Sequence, residues 1–154
     1  MLSPDEFTVG TLGSAQPLSL VLPRTKYEET ILIGHIDQAP TAVFLSKRHA
    51  FNYFRSAENK SWKGLIVPDV RVEVDETSIF DPQASSHTLG VVIRTDTQLA
   101  IWAKSEDIYD SPVLVTLHDG LTPTVKHEAG FSGWQIVIGK GPDKRILWQS
   151  SNEA

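Results

Sequence analysis

Alternation of apolar and charged residues is the feature that most limits the folds open to this chain. The clearest run extends from Val70 to Asp75, where three valines alternate with three charged side chains. Successive side chains of an extended strand point to opposite faces, so this run predicts a strand with one buried and one polar face. We interpret the surrounding stretch, Leu65 to Lys104, as the middle of a sheet on which the flanking segments pack.

Short apolar or alternating segments recur along the rest of the chain, with turn residues roughly every 8 to 12 positions. They predict further strands at 18–22, 30–36, 41–45, 90–93, 99–102, 113–117, 134–138 and 145–148. The pattern is weaker at 7–9 and 124–128, which are the weakest of the predicted strands. Strands do not alternate with helical segments, which argues against a parallel α/β sheet. The sequence therefore predicts a mainly β fold, a β-sandwich or barrel-like domain of about nine to ten mostly antiparallel strands.

One segment departs from the period of two. Its apolar side chains recur at helical spacing, at Ala50, Phe51, Phe54 and Ala57, and Ser46 ahead of them is a suitable N-cap. These features predict one short α-helix from about Lys47 to Glu58. A strand through Phe51 and Phe54 is the competing interpretation, because residues 51–54 can also be read with a period of two.

The domain organisation follows from length and composition. A chain of 154 residues can bury one substantial core without disulfides or metals. We predict a single β-rich domain from 17 to 150. A loose N-terminal segment, 1–16, precedes it, and a polar tail, 151–154, follows it.

Composition also argues against several functional classes. The chain has no cysteine, which excludes disulfide scaffolds, thiol catalysis and thiolate metal sites. Its 14 basic residues are scattered among 19 acidic ones, with a formal net charge of −5, which argues against nucleic acid as a partner. The acidic start lacks the features of a secretory signal, and no apolar run approaches the ~20 residues of a membrane-spanning helix. We therefore expect a soluble, cytoplasmic protein without a membrane partner.

The sequence contains no acceptable motif for catalysis or cofactor binding. The stretch from Gly133 to Lys140 looks like a phosphate loop, but five residues separate its glycines and Gly141 replaces the required Ser or Thr, so we interpret it as a hairpin turn. Ser132 lacks the spacing of a nucleophile elbow. A metal site would need histidines that meet only in the folded chain, because no local pair occurs among His35, His49, His87, His118 and His127. We predict no catalytic, cofactor-binding or metal-binding residue, and the identity of any cofactor stays open.

The best candidate for a ligand site is the charged face of the central strand. Asp69, Arg71, Glu73 and Asp75 follow one another along that face at about 6.6 Å. The simpler interpretation is a solvated face on which Arg71 bridges its acidic neighbours. The alternative is a pocket in which Arg71 and Arg94 orient an anionic or hydroxylated ligand over Glu73 and Asp75. Glycoside chemistry would further require a suitable separation of two carboxyl groups and different pKa values.

Two functional hypotheses remain open. In the first, the protein is a non-enzymatic binding or assembly module and a homo-oligomer, because pairing with a second copy covers exposed sheet edges. In the second, it is a small enzyme or ligand sensor with a polar pocket over the Arg71/Glu73/Asp75 face. The second hypothesis predicts that these side chains converge with Arg94 or a histidine inside one concavity.

Overall fold

The computed structural model of the protein describes residues 2–24, 29–46, 50–82, 88–95, 98–107, 109–117 and 129–150. Within these ranges, fourteen strands form one sheet of eleven strands and one of three. All pairings between the strands are antiparallel. The prediction of a mainly β, mostly antiparallel fold is confirmed, whereas the strand predicted at 124–128 lies outside the described residues.

The strands follow one another as β1 (Thr8–Thr11), β2 (Leu20–Pro23), β3 (Ile31–Ile36), β4 (Ala39–Phe44), β5 (Tyr53–Arg55), β6 (Lys63–Val67), β7 (Arg71–Val74), β8 (Ile79–Phe80), β9 (Val92–Thr95), β10 (Gln98–Ala103), β11 (Val113–Thr116), β12 (Ala129–Phe131), β13 (Trp134–Ile138) and β14 (Arg145–Gln149). The larger sheet has the order β1-β6-β2-β3-β11-β10-β9-β12-β8, and β4 and β5 branch from β3. The smaller sheet has the order β14-β13-β7. Short 3-10 segments lie at Leu12–Ser14, Ser56–Asn59, Glu76–Ser78 and Gly141–Asp143.

The predicted helix from Lys47 to Glu58 is wrong. Residues 47–49 lie outside the described part of the chain, and the remainder turns, runs as β5 and ends in the 3-10 segment Ser56–Asn59. Phe51 adopts a φ of +63°, which no α-helix accommodates, and its N–H donates to the Phe44 carbonyl at 2.6 Å. Pairing with β4 then places the ring of Phe54 5.3 Å from that of Phe44. Cross-strand packing of aromatic rings therefore prevails over the helical spacing, and the competing strand interpretation is correct for residues 53–55.

Two predicted hairpins are present. The β3–β4 turn uses only Asp37 and Gln38, both with positive φ, so β4 starts two residues earlier than predicted. The β13–β14 connection contains Gly139 and Gly141 with φ of +76° and +57°. The glycine-rich stretch is therefore a hairpin turn, as predicted, and its strand context differs from that of a phosphate loop.

The stretch from Leu65 to Lys104 is divided between the two sheets, whereas we expected it to form the middle of one. β6, β9 and β10 belong to the larger sheet, but β7 is an edge strand of the smaller sheet. Pro68, Asp69 and Val70 separate β6 from β7, and Asp69 has a φ of +56° that redirects the chain. This change of direction carries the alternating valines away from the larger sheet.

Two apolar clusters lie on opposite faces of the strands β2 to β4. The inter-sheet core joins β13 to the larger sheet and consists of Leu20, Leu32, Val43, Leu45, Val67, Val70, Val92, Ile101, Ala103, Val115, Leu117, Trp134, Ile136 and Ile138. The N-terminal core consists of Leu12, Ala15, Val21, Ile31, Ile33, Ala42, Phe44 and Ile66. Adjacent residues such as Leu32 and Ile33 therefore enter different cores, and β3 is apolar on both faces.

The N-terminal segment, expected to be loose apart from a short strand, takes part in the larger sheet. β1 pairs with β6 from Thr8 to Thr11. Leu12 and Ala15, which follow β1, are buried in the N-terminal core. The described residues between β1 and β2 thus help to close that core.

Candidate functional site

A groove of about 260 Å³ opens where β7 ends beside the start of β13 and the end of β14. We call it the polar groove, and it is lined by Glu73, Val74, Asp75, Gly133, Trp134, Gln135, Gln149 and Ser150. The antiparallel register aligns Glu73 with Gln135, and Gln135 with Gln149. One carboxylate and two amides therefore follow one another across three strands.

Glu73 is held in place by two neighbours. The ammonium group of Lys144 lies 2.6 Å from its Oε1, and Nε2 of Gln135 donates to the same oxygen at 3.1 Å. The hydrogen bond from Lys144, and next that from Gln135, holds the pKa of Glu73 below its ordinary value. Glu73 is therefore an ionised, oriented hydrogen-bond acceptor at neutral pH.

Asp75 caps the 3-10 segment that follows β7. Its Oδ1 accepts hydrogen bonds from the Thr77 hydroxyl at 2.7 Å and the Thr77 backbone N–H at 3.0 Å. These bonds, that of the hydroxyl first, lower the pKa of the Asp75 carboxyl. Both carboxylates of the polar groove are thus ionised at neutral pH.

Two serines organise the main chain at the strand ends. Ser78 Oγ accepts from the Gly133 N–H at 2.9 Å, and Ser150 Oγ accepts from the Trp134 N–H at 2.9 Å. The backbone N–H of Ser150 in turn donates to the Trp134 carbonyl at 2.9 Å. The wall of the groove is therefore fixed before any ligand binds.

Trp134 supports the groove from the inter-sheet core. Its side chain is only 3% exposed, and its indole N–H donates to the Gly90 carbonyl at 2.8 Å. Its ring centroid lies 4.6 Å from that of Trp148. Trp134 therefore packs in the core and supports the groove without offering a free ring face to a ligand.

The two predicted arginines do not line this groove. Nη2 of Arg71 donates to the Gly139 carbonyl at 2.5 Å, and Arg71 therefore points toward the β13–β14 turn. Arg94 lies on β9 in the larger sheet, where it pairs with Leu99 and Ala129. Of the four predicted ligand-binding residues, the structure brings Glu73 and Asp75 together in one concavity, and Asp69 lies in the turn before β7.

Sequence reasoning missed the partners that β13 and β14 supply to this groove. Gln135 interrupts an otherwise apolar strand, and Gln149 ends another, so both carried a weak signal. Their proximity to Glu73 depends on the pairing of β7 with β13, which lie some sixty positions apart. No local pattern specifies that pairing.

The metal hypothesis required histidines close to one another. His49, His87, His118 and His127 all lie outside the described residues. Among the residues that are described, no group of three or more His, Asp or Glu side chains could hold a metal ion. None of the helical segments in the described ranges has the length and apolar character that crossing a membrane requires.

Comparisons with known proteins identify the family. A family model described as "Uncharacterised protein y4lG" matches residues 9–154. The protein of that description from Sinorhizobium fredii (strain NBRC 101917 / NGR234) is 61% identical over 153 residues, which cover 99% of this chain and 95% of the relative. No solved structure matches the chain significantly. The chain therefore belongs to the y4lG family.

Proposed function

We propose that the protein is a non-catalytic binding module that holds a small hydroxylated ligand, a sugar or polyol, in the polar groove. The observation that supports this most directly is the oriented carboxylate of Glu73, which is followed across the sheet by Gln135 on β13 and then Gln149 on β14. Carboxylates accept hydrogen bonds from ligand hydroxyls, and amide groups both donate and accept. Such convergent polar groups in a concavity are typical of sites that recognise small polar molecules.

The charge of the groove favours a neutral ligand over an anion. Two ionised carboxylates line it, and the nearest cation, Lys144, is already paired with Glu73. Arg71, which was expected to orient an anionic group, donates instead to the Gly139 carbonyl. An anionic ligand would therefore be repelled, whereas hydroxyl donors meet acceptors.

The pKa values of the two carboxyl groups favour binding over glycoside hydrolysis. Acid–base chemistry on a glycoside needs one carboxyl with a raised pKa, which supplies the proton to the leaving group. The pKa values of Glu73 and Asp75 are both lowered, by hydrogen bonds from Lys144 and Thr77. Neither group is therefore suited to act as the general acid at neutral pH.

Binding can be tested by recording amide NMR spectra during titration with glucose, mannitol and myo-inositol. We expect at least one polyol to shift amide signals around Glu73, Gln135 and Gln149, and Glu73→Gln to weaken that binding. Glu6→Gln is the matched control, because Glu6 is also an ion-paired surface carboxylate but does not line the groove. Equal binding by the two variants, or no shift with any of the three polyols, would refute the proposal.

A second candidate function, self-association, is supported by the edges of the sheets. Three large apolar side chains are exposed on edge strands: Val9 on β1 at 77%, Ile79 on β8 at 60% and Ile146 on β14 at 53%. Exposed apolar edges are suited to pairing with a second copy of the chain, which would cover them. This candidate corresponds to an assembly module.

Self-association can be tested by analytical ultracentrifugation. We expect the wild type to sediment as an oligomer and Val9→Lys or Ile79→Lys to shift it toward the monomer. Tyr109→Lys is the control, because Tyr109 is 89% exposed but lies in no strand. A wild-type protein with the mass of one chain at all concentrations would exclude this candidate.

A further inference from the structure

A second, larger groove of about 550 Å³ lies beside β5 and has a different chemical character. Four aromatic side chains contribute to its walls: Phe44, Tyr53, Phe54 and Trp62. Three carboxylates contribute to the same lining: Glu58 from the 3-10 segment after β5, and Glu106 and Asp107 from the loop after β10. We call this the aromatic groove.

The aromatic walls are held by the N-terminal core. Phe44 is buried there, and the ring of Phe54 lies between those of Phe44 and Trp62, at centroid distances of 5.3 and 5.5 Å. Phe54 and Trp62 are only half-buried, because the core covers one side of each ring. Part of their surface therefore remains open toward the groove while their positions are fixed.

A short backbone connection fixes the acidic loop beside these rings. Asn52 forms a parallel bridge with Lys104, the Tyr53 N–H donates to the Lys104 carbonyl at 2.9 Å, and the Lys104 N–H donates to the Phe51 carbonyl at 3.0 Å. Only Ser105 separates Lys104 from Glu106 and Asp107, so the paired main chain at Lys104 limits where these two carboxylates lie relative to β5. The two sides of the groove thus belong to one hydrogen-bonded structure.

The charge of the lining is negative. Three carboxylates stand against a single guanidinium group, that of Arg55. The Tyr53 phenol responds to this environment: burial raises its pKa, and the charges of Asp110 and Glu58 raise it further, against an opposing effect of Arg55. A negative charge on the phenol is thus disfavoured beside this groove.

We propose that the aromatic groove binds an organic cation, an amine or quaternary ammonium group. Aromatic faces carry negative charge density that attracts cations, and the carboxylates add attraction of the same sign. An anion would be repelled by the lining, and a purely apolar ligand would displace water from the three exposed carboxylates without supplying a compensating charge. The volume lies within the range of roughly 300–1,000 Å³ that is usual for small-molecule sites. This site is separate from the polar groove and has a different ligand chemistry.

The probes for the test are choline and tetramethylammonium, compared with 3,3-dimethylbutan-1-ol, a neutral molecule of the same shape as choline. The readout is fluorine NMR of the protein labelled with 5-fluorotryptophan, at matched ionic strength. The chain has four tryptophans, of which Trp62 lines the aromatic groove. We expect choline and tetramethylammonium to shift the Trp62 signal and to leave the Trp134 signal unchanged.

Charge variants separate cation recognition from apolar binding. We expect the double variant Glu106→Gln/Asp107→Asn to bind choline roughly five-fold more weakly, since each exposed charge contributes a fraction of a kcal/mol. Asp143→Asn, at an exposed carboxylate in the β13–β14 connection, is the control and should bind as the wild type does. The proposal is overturned if neither cation shifts Trp62, if dimethylbutanol binds as tightly as choline, or if the double variant retains full affinity.

Discussion

The N-terminal core and the inter-sheet core differ in the length of sequence that contributes residues to them. The N-terminal core uses only positions between Leu12 and Ile66, whereas the inter-sheet core extends from Leu20 to Ile138. Each core lies beside one groove. Half-buried aromatic rings form the walls of the aromatic groove next to the N-terminal core, and hydrogen-bonded strand ends form the walls of the polar groove next to the inter-sheet core. The comparison shows that the residues at the rim of each core determine which ligand its groove suits: aromatic rings in one case and hydrogen-bonding side chains in the other.

The largest expected effects test whether the two cores are energetically separate. Ile33→Ala in the N-terminal core and Ile101→Ala in the inter-sheet core remove fully buried side chains, and each should lower the free energy of unfolding by about 2–5 kcal/mol. Because the residues occupy different clusters, the effects should add within about 0.5 kcal/mol in the double variant. Denaturant unfolding measures all three values. A deviation from additivity above about 1 kcal/mol would mean that the cores act as one.

The next effect concerns close packing beside the inter-sheet core. Gly90 has a φ of +82°, and an added Cβ would lie 2.2 Å from the Phe51 ring. Gly90→Ala should therefore lower the free energy of unfolding by roughly 2–3 kcal/mol, through backbone strain and steric overlap with Phe51. Gly141→Ala is the control for backbone strain alone, because Gly141 has a φ of +57° but an added Cβ would meet no atom within 4 Å. It should lower the free energy of unfolding by about 1 kcal/mol. Thermal unfolding measures both variants. Equal losses of stability in the two would show that the Phe51 ring moves away from the added methyl group at no cost.

A smaller effect of opposite sign is expected at Ser56, in the segment after β5. Ser56 is 3% exposed, and its hydroxyl has no hydrogen-bond partner among the described residues. Ser56→Ala should therefore stabilise the protein by up to about 1 kcal/mol. Thr41→Val is the comparison, because the equally buried Thr41 hydroxyl donates to the Ala39 carbonyl at 2.9 Å, and its removal should cost about 1 kcal/mol. A loss of stability in Ser56→Ala would indicate that its hydroxyl makes a bond in solution.

The smallest effect lies at a contact between the N-terminal segment and the smaller sheet. The hydrogen bond from Arg145, and next the backbone N–H of Ser3, lowers the pKa of Glu6 from 4.5 to about 2. Because the pKa is lowered on folding, this group's contribution to stability is present above about pH 4.5 and disappears as the pH falls through about 2. NMR titration should give this pKa in the wild type and a value closer to 4.5 in Arg145→Gln. An unchanged pKa in the variant would show that Arg145 is not the main cause.

The fold class could be predicted from local patterns, but the division into two sheets could not. Alternation identified β7, and short apolar runs identified β3 and β13, because both patterns are local properties of the sequence. The helix was predicted wrongly because the spacing of Phe51 and Phe54 fits both a helix and a strand. The strand forms because the ring of Phe54 packs against those of Phe44 on β4 and Trp62. Strand pairing across some sixty positions, as between β7 and β13, depends on the whole chain.

The candidate site, like the fold, could be predicted only where it depends on a local pattern. Alternation predicted Glu73 and Asp75 on one face of an extended chain, and both line the polar groove, although Asp75 follows the last residue of β7. That they bind a ligand stays a prediction. Arg94 was included for its charge alone, and it lies on a strand of the other sheet. Cytoplasmic location, the absence of a nucleic-acid partner and the single-domain boundaries at 17 and 150 remain predictions.

The placement of β7 has a consequence for the order of events during synthesis. All residues of the N-terminal core precede position 67, so that core can assemble while the later strands are still being translated. The valines of β7 emerge soon afterwards, but their partner strand begins only at Trp134. β7 therefore has no partner strand until Trp134–Ile138 has been synthesised, and the charges that alternate with its valines oppose aggregation of the exposed strand in the meantime.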